Sequence, residues 1–335
     1  VSRRLTGRGV AVAAAAVGVG YAAERLVARR LRGVADPGVG RELSSLPDAR
    51  YHVIPTFDGG ETYAVERGPR DGTPIVFLHG LSLSSAAWHY QLIDLAGDFR
   101  VIAVDFRGHG RSTPGREGYG LEHLSRDLAT VLSHLDLHGA IVVGHSMGGM
   151  VIMRLCIDQP SISRERLAGI VLVSTAAGKL LTPYGMAALA RFTVPAVRRS
   201  TAWLGRVPEG RLLPSSDLAF LVTRAGLGRD AAPEHVELTR TLMAATSPKA
   251  IAESLRSLVD HDVLDHLVAV DVPTLVVVGT HDMLTPPRMA REIVRSLPHA
   301  ELVVLERVGH MPMLEARRDL NRLIAEFTEK LSRVD

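Results

Sequence analysis

Short apolar runs rich in β-branched residues recur along this 335-residue chain at separations too long for hairpins. Ile75-Val76-Phe77-Leu78, Val101-Ile102-Ala103-Val104, Ile141-Val142-Val143, Ile170-Val171-Leu172-Val173, Leu275-Val276-Val277-Val278 and Leu302-Val303-Val304-Leu305 are continuous rather than alternating. A strand without polar alternate residues has both faces covered, as in the interior of a parallel sheet. Parallel neighbours need long crossovers, and helical periodicity fills several of the gaps. The pattern predicts an α/β fold: a mostly parallel open sheet flanked by helices. Ahead of it, two extended pieces at 51–56 and 62–66 are separated by Asp58-Gly59-Gly60, a hairpin signal.

The run 140–143 leads into Gly144-His145-Ser146-Met147-Gly148, and helical spacing of Met147, Val151, Ile152 and Leu155 follows until Pro160. A serine on a sharp strand-to-helix turn is a candidate nucleophile, because the turn exposes its hydroxyl. Glycine two residues before and after it avoids collision where strand and helix converge. A serine hydroxyl is a weak nucleophile at neutral pH, so it needs a base and donors for the oxyanion it generates.

Both partners stand after strand runs. Asp282 follows 275–278 in Gly279-Thr280-His281-Asp282, and His310 follows 302–305 in Val308-Gly309-His310-Met311-Pro312. All three side chains would then share one edge of the sheet. Their order Ser146, Asp282, His310 differs from two other serine hydrolase orders. The N–H groups of Met147, after the nucleophile, and Leu81, after the third strand, are the candidate oxyanion donors. His79, His145 and His281 are read as serving turns, and Asp105 and His109 as structural. Trp88 either faces an acyl pocket or packs in the core.

The sequence holds 46% hydrophobic residues, enough for a substantial core. A single cysteine, Cys156, excludes an intramolecular disulfide. No CxxC, HExxH or His/Cys cluster at ligand spacing calls for a metal, and the serine chemistry calls for no cofactor. The formal net charge of +3 is concentrated at one end: the first 32 residues hold seven arginines and one acid. The remainder carries 32 basic and 35 acidic residues, so nucleic-acid binding is not expected.

Residues 9–23 are an uncharged Ala/Val/Gly run flanked by Arg3, Arg4 and Arg8 and by Arg25, Arg29, Arg30 and Arg32. Residues 1–33 are therefore expected to be a targeting or anchor segment, although 15 residues fall short of the roughly 20 needed to span a bilayer. A signal peptide and a packed helix are the alternatives. The expected location is the membrane or cell envelope, with a cytoplasmic one as the alternative. Gly18-Val19-Gly20-Tyr21-Ala22-Ala23 mimics a dinucleotide fingerprint, but no second strand ending in an acid follows. Residues 34–49, with Pro37 and Pro47, read as a linker.

Between Ser174 and Leu275 no sheet strand is evident, whereas Ile251, Leu255, Leu258 and Val259 form a helical stripe. Residues 178–267 are expected to be a helical cap inserted after the sixth strand, with 50–177 and 268–335 as the catalytic core. Apolar cap residues such as Met186, Phe192, Trp203, Phe220 and Met243 either line an acyl pocket or hold the cap together.

His79-Gly80, the segment 105–112, the segment 144–149, Gly279-Thr280-His281-Asp282 and Gly309-His310 together resemble the α/β-hydrolase superfamily over about residues 50–330. The chain looks most like capped, esterase- or lipase-like actinobacterial hydrolases with a short N-terminal hydrophobic segment. The resemblance implies a carboxylic ester hydrolase working through an acyl-enzyme on Ser146, with a small-molecule or lipid ester as substrate. Ser146 departs from the epoxide hydrolase and haloalkane dehalogenase branches, which use Asp there. Perhydrolase or haloperoxidase-type chemistry, C–C bond hydrolysis, thioesterase and acyltransferase activity are the alternatives within enzymes. A non-catalytic ligand receptor is the alternative outside them.

Overall fold

In the computed structural model, residues 46, 48–180, 199–201, 203–207, 223, 224, 226–228 and 231–333 are described. The hairpin forms as the sequence predicts. β1 (Arg50–Pro55) pairs antiparallel with β2 (Glu61–Arg67), and Gly59 takes φ +89° in the turn, a conformation that favours glycine. Each continuous apolar run lies in a strand: β3 (Pro74–Leu78), β4 (Arg100–Val104), β5 (Ala140–His145), β6 (Leu167–Val173), β7 (Thr274–Gly279) and β8 (Ala300–Leu305). The eight strands form one sheet in the order β1-β2-β4-β3-β5-β6-β7-β8. β2 runs antiparallel to β1 and β4, and the remaining pairs are parallel.

Burial follows position in that order. Every residue of β5 and β7 is buried, while edge strand β1 exposes alternate residues. Successive residues of β5 serve opposite faces. Ala140 and Val142 join a core with α2 (Leu121–His134), α3 (Met147–Asp158) and α7 (Pro287–Ser296). Ile141 and Val143 join a second core with α1 (His89–Asp94) and α9 (Arg317–Ser332). Burying each such Val, Leu or Ile contributes about 1.5–3 kcal/mol before entropy is counted.

Pro160 ends one helix and begins another. α3 stops at Asp158, and Pro160 opens α4 (Pro160–Arg166), where its missing N–H costs nothing because the first turn has no intrahelical acceptor. The same device opens α5 (Pro233–Ala245), α6 (Pro248–Asp260), α7 and the short α8 (Pro312–Glu315). Helices α5 and α6 lie between β6 and β7 in the chain, within the segment expected to be helical. α6 buries Ile251, Leu258 and Val259 of the expected stripe and docks on α2, where Leu121 N–H donates to Ser257 Oγ at 3.0 Å.

Residues 1–33, the linker except 46, 48 and 49, and Met186, Phe192 and Phe220 lie outside the described residues. Among the described residues no helix is long and apolar enough to cross a membrane.

Candidate active site

Strand β5 delivers Ser146 to the carboxyl edge of the sheet, and α3 starts at the next residue. Ser146 sits at φ +52°, ψ −113°, a strained conformation for a non-glycine residue. Its N–H donates to Val173 O (2.9 Å), and its C=O accepts from Thr175 Oγ1 (2.6 Å), Gly149 N and Met150 N. The flanking glycines meet the steric demand read from the sequence. A Cβ on Gly144 would lie 2.5 Å from Gly148 O, and one on Gly148 would lie 2.5 Å from Leu78 O. Ser146 itself remains half-buried.

The β3 loop runs beside it because β3 pairs with β5, Leu78 opposite Gly144. A Cβ on Gly80 would come within 2.7 Å of His145 Nδ1 and 3.3 Å of Ser146 Cβ, so only glycine fits there. Among the described residues, neither Leu81 N–H nor Met147 N–H donates a hydrogen bond. Two buried histidines hold the loop. His79 Nε2 accepts from Phe106 N–H (3.0 Å) and its Nδ1 contacts Gly80 O (2.7 Å); His109 Nε2 accepts from Ser82 N–H (3.2 Å). Burial pushes their pKa values down to about 4 and about 3, so both are neutral acceptors at neutral pH. Asp105 is structural as well: its carboxylate accepts from Ser85 N–H (2.6 Å) and Arg111 N–H (2.8 Å). Trp88 is fully buried against Phe77.

Across the sheet edge, His310 Nδ1 lies 3.0 Å from both oxygens of Asp282. Asp282 also accepts from Leu284 N–H and Thr285 N–H (2.9 Å each) and from Thr285 Oγ1 (2.8 Å). Burial raises the Asp282 pKa, but the charge and hydrogen bond of His310 and the Thr285 donors outweigh it and hold the group at about 2. The carboxylate is therefore ionised, and it orients His310 so that Nε2 faces away. Among the described residues His310 Nε2 makes no hydrogen bond, and none joins Ser146 Oγ to His310.

His145 bridges the two halves. Its Nε2–H donates to His310 O at 2.7 Å, and the two rings stand 4.8 Å apart. Burial first, and then the charge of His310, lower its pKa to about 3. The expectation that His145 serves the turn thus understates its reach, since it ties the serine elbow to the loop of His310. His281, by contrast, is exposed. Thr285 and Glu315 carried no signal in the sequence, because their partners are set by loop conformation. Trp203 is 67% exposed, while Met243 packs against the second core.

Residues 73–316 match a family model described as the alpha/beta hydrolase fold. The chain is 30% identical over 273 residues to the AB hydrolase superfamily protein YisY of Bacillus subtilis, covering 77% of this chain and 92% of that protein. It is 31% identical over 242 residues to a non-heme chloroperoxidase of Streptomyces lividans, covering 70% and 83%. Among solved structures, a thermophilic esterase from Thermogutta terrifontis superposes with a TM-score of 0.71 at 27% identity, over 84% of this chain and 99% of that one.

Proposed function

The chain belongs to the α/β-hydrolase family, and on that premise we propose that it is a serine hydrolase of carboxylic esters that works through an acyl-enzyme on Ser146. The observation that carries this reading is the Asp282–His310 pair, linked through His145 to a strained, accessible serine. Ser146 Oγ attacks the ester carbonyl carbon while His310 Nε2 takes its proton. Asp282 fixes the Nδ1–H tautomer and stabilises the imidazolium. The N–H groups of Leu81 and Met147 receive the oxyanion, and the latter belongs to the first turn of α3, where the helix dipole favours negative charge. Collapse expels the alcohol, which takes the proton from His310 Nε2. Water, deprotonated by the same nitrogen, then releases the carboxylic acid and restores Ser146. In this reading the segment inserted between β6 and β7, which includes α5 and α6, sets which acyl and alcohol groups fit.

Kinship with the chloroperoxidase supports a second reading for the same residues. Hydrogen peroxide replacing water in the second half-reaction would yield a peracid.

Turnover of short- and long-chain p-nitrophenyl esters by the wild type and Ser146→Ala is the direct test. The substitution is expected to lower kcat by about 10⁴-fold or more. Equal turnover by the two proteins would refute the mechanism. No turnover of any acyl substrate by the wild type would favour a ligand-binding protein on this fold. Peracid formed from acetate and hydrogen peroxide would support the second reading.

A further inference from the structure

The loop that carries His310 is held by a carboxylate other than Asp282 and by the segment inserted between β6 and β7. Glu315 ends the short helix α8, and its side chain turns back over the loop. Its Oε1 accepts from Met311 N–H (2.9 Å), and its Oε2 accepts from Gly309 N–H (3.0 Å). The two residues flanking His310 are thus pinned by one carboxylate. The same Oε2 accepts from Gly228 N–H (2.6 Å), 87 residues earlier and on the inserted segment. The insertion also reaches His310 directly, because His310 N–H donates to Gly226 O at 3.2 Å. Arg224 Nη1 donates to Gly228 O at 2.5 Å, so Gly228 is held through both its N–H and its C=O.

Three backbones press together here around the Glu315 carboxylate. A Cβ on Gly309 would overlap Gly228 N and lie 2.5 Å from Leu227 C. One on Gly228 would lie 2.6 Å from Glu315 Oε2 and 2.7 Å from Arg307 O. One on Gly279, at the end of β7, would overlap Val308 O. Glycine at 228, 279 and 309 is what lets the insertion, the His310 loop and the strand that leads to Asp282 lie in contact.

We propose that Glu315 is a positioning residue for His310, and that it acts by locking residues 226–228 of the insertion onto the histidine loop. The inference rests on the serine hydrolase reading of this site. In it the insertion does more than cover the substrate: it completes the seat of the general base, so that acyl transfer depends on the insertion being docked. A base displaced by about 1 Å loses on the order of 10²-fold in rate, which sets the expected size of the effect.

The experiment compares full-length wild type, Glu315→Gln, Gly228→Ala and Ser146→Ala with p-nitrophenyl acetate and butyrate. A neutral amide at 315 cannot accept all three N–H bonds without presenting its own donors to them. Glu315→Gln and Gly228→Ala are each expected to lower kcat about 10–100-fold with KM within about threefold of wild type. The rate at which a fluorophosphonate labels Ser146 should fall in the same proportion, because that reaction also needs His310 in place. Variants that fold and keep wild-type kcat and labelling rates would overturn the proposal. A Ser146→Ala protein that stays active would instead overturn the mechanism beneath it, so the two failures are distinguishable. Amide hydrogen exchange in the wild type supplies a measurement that needs no folded variant. The N–H groups of Gly228, Gly309 and Met311 should open together with one protection factor. Gly228 exchanging orders of magnitude faster than the other two would equally overturn the proposal.

Discussion

Two buried polar networks flank the carboxyl edge of the sheet, and they use charge differently. On the side of β2 and β4, the Arg107 side chain is fully buried and spends its N–H donors on protein acceptors: both oxygens of Asp127 (2.7 Å each), both of Asp58 (2.9 and 3.2 Å) and Gly118 O (2.9 Å). Burial raises the Asp58 pKa, but Glu117 N–H, Arg107 and Thr56 Oγ1 together hold it below the usual carboxylate range. Every group there is committed. On the side of β7 and β8, Asp282 is as fully hydrogen-bonded, yet its partner His310 keeps Nε2 without a hydrogen bond among the described residues. A closed network can only stabilise. In the reading proposed above, one with an open ring nitrogen, tied through His145 to the strained serine, can also move a proton.

Breaking the open network should show first in turnover. Asp282→Asn is expected to lower kcat by about 10³–10⁴-fold, because the amide favours the wrong His310 tautomer, while circular dichroism stays unchanged. A loss below about tenfold would reduce Asp282–His310 to a structural ion pair. Breaking the closed network should show first in stability. Arg107→Met leaves two buried carboxylates uncompensated and is expected to cost about 3–5 kcal/mol in urea unfolding, while the folded fraction keeps most of its ester turnover at low temperature. A stable but inactive Arg107→Met protein would erase the contrast between the two sides.

The smallest effect concerns pH. His79, His109 and His145 have folded pKa values of about 4, 3 and 3, against about 6.5 when unfolded. Between those limits the unfolded chain binds protons that the folded one refuses, so stability falls as pH drops from about 6.5 towards 4. The slope approaches about 1.4 kcal/mol per pH unit for each histidine. Asp282, depressed from 3.8 to about 2, adds its loss only below that window. Urea midpoints at pH 7.5, 6 and 5 check the slope, and His109→Gln should flatten it. Equal midpoints at all three values would mean that these rings are protonated in the folded protein.

The parallel sheet, its hairpin, the crossover helices and the serine elbow were legible because each is local. Continuous β-branched runs, the 3.6-residue stripe after Met147 and Asp58-Gly59-Gly60 carry their own conformational preference over a few residues. The pairing of Asp282 with His310 could be anticipated from their positions after strand runs, since parallel strands deliver such residues to one edge. Thr285 and Glu315 were not legible even though Asp282 and Met311 lie three and four residues away, because irregular loop conformation sets those bonds, and the reach of His145 to His310 and of Glu315 to Gly228 spans 165 and 87 residues. Pro160 was half legible: the sequence shows that a helix stops before it, as it does, but not that another starts there.

By itself, then, the sequence determined which segments become strands and helices, and that a serine, an aspartate and a histidine reach the same edge. Only the tertiary structure decided which groups hold them. The register of β3 on β5 sets Gly80 against Ser146, and His145 reaches the carbonyl of a residue 165 positions later. Glu315 joins a loop to an insertion 87 residues away. Backbone preference acts over a few residues, whereas a hydrogen bond specifies distance in space and leaves no periodic trace along the chain.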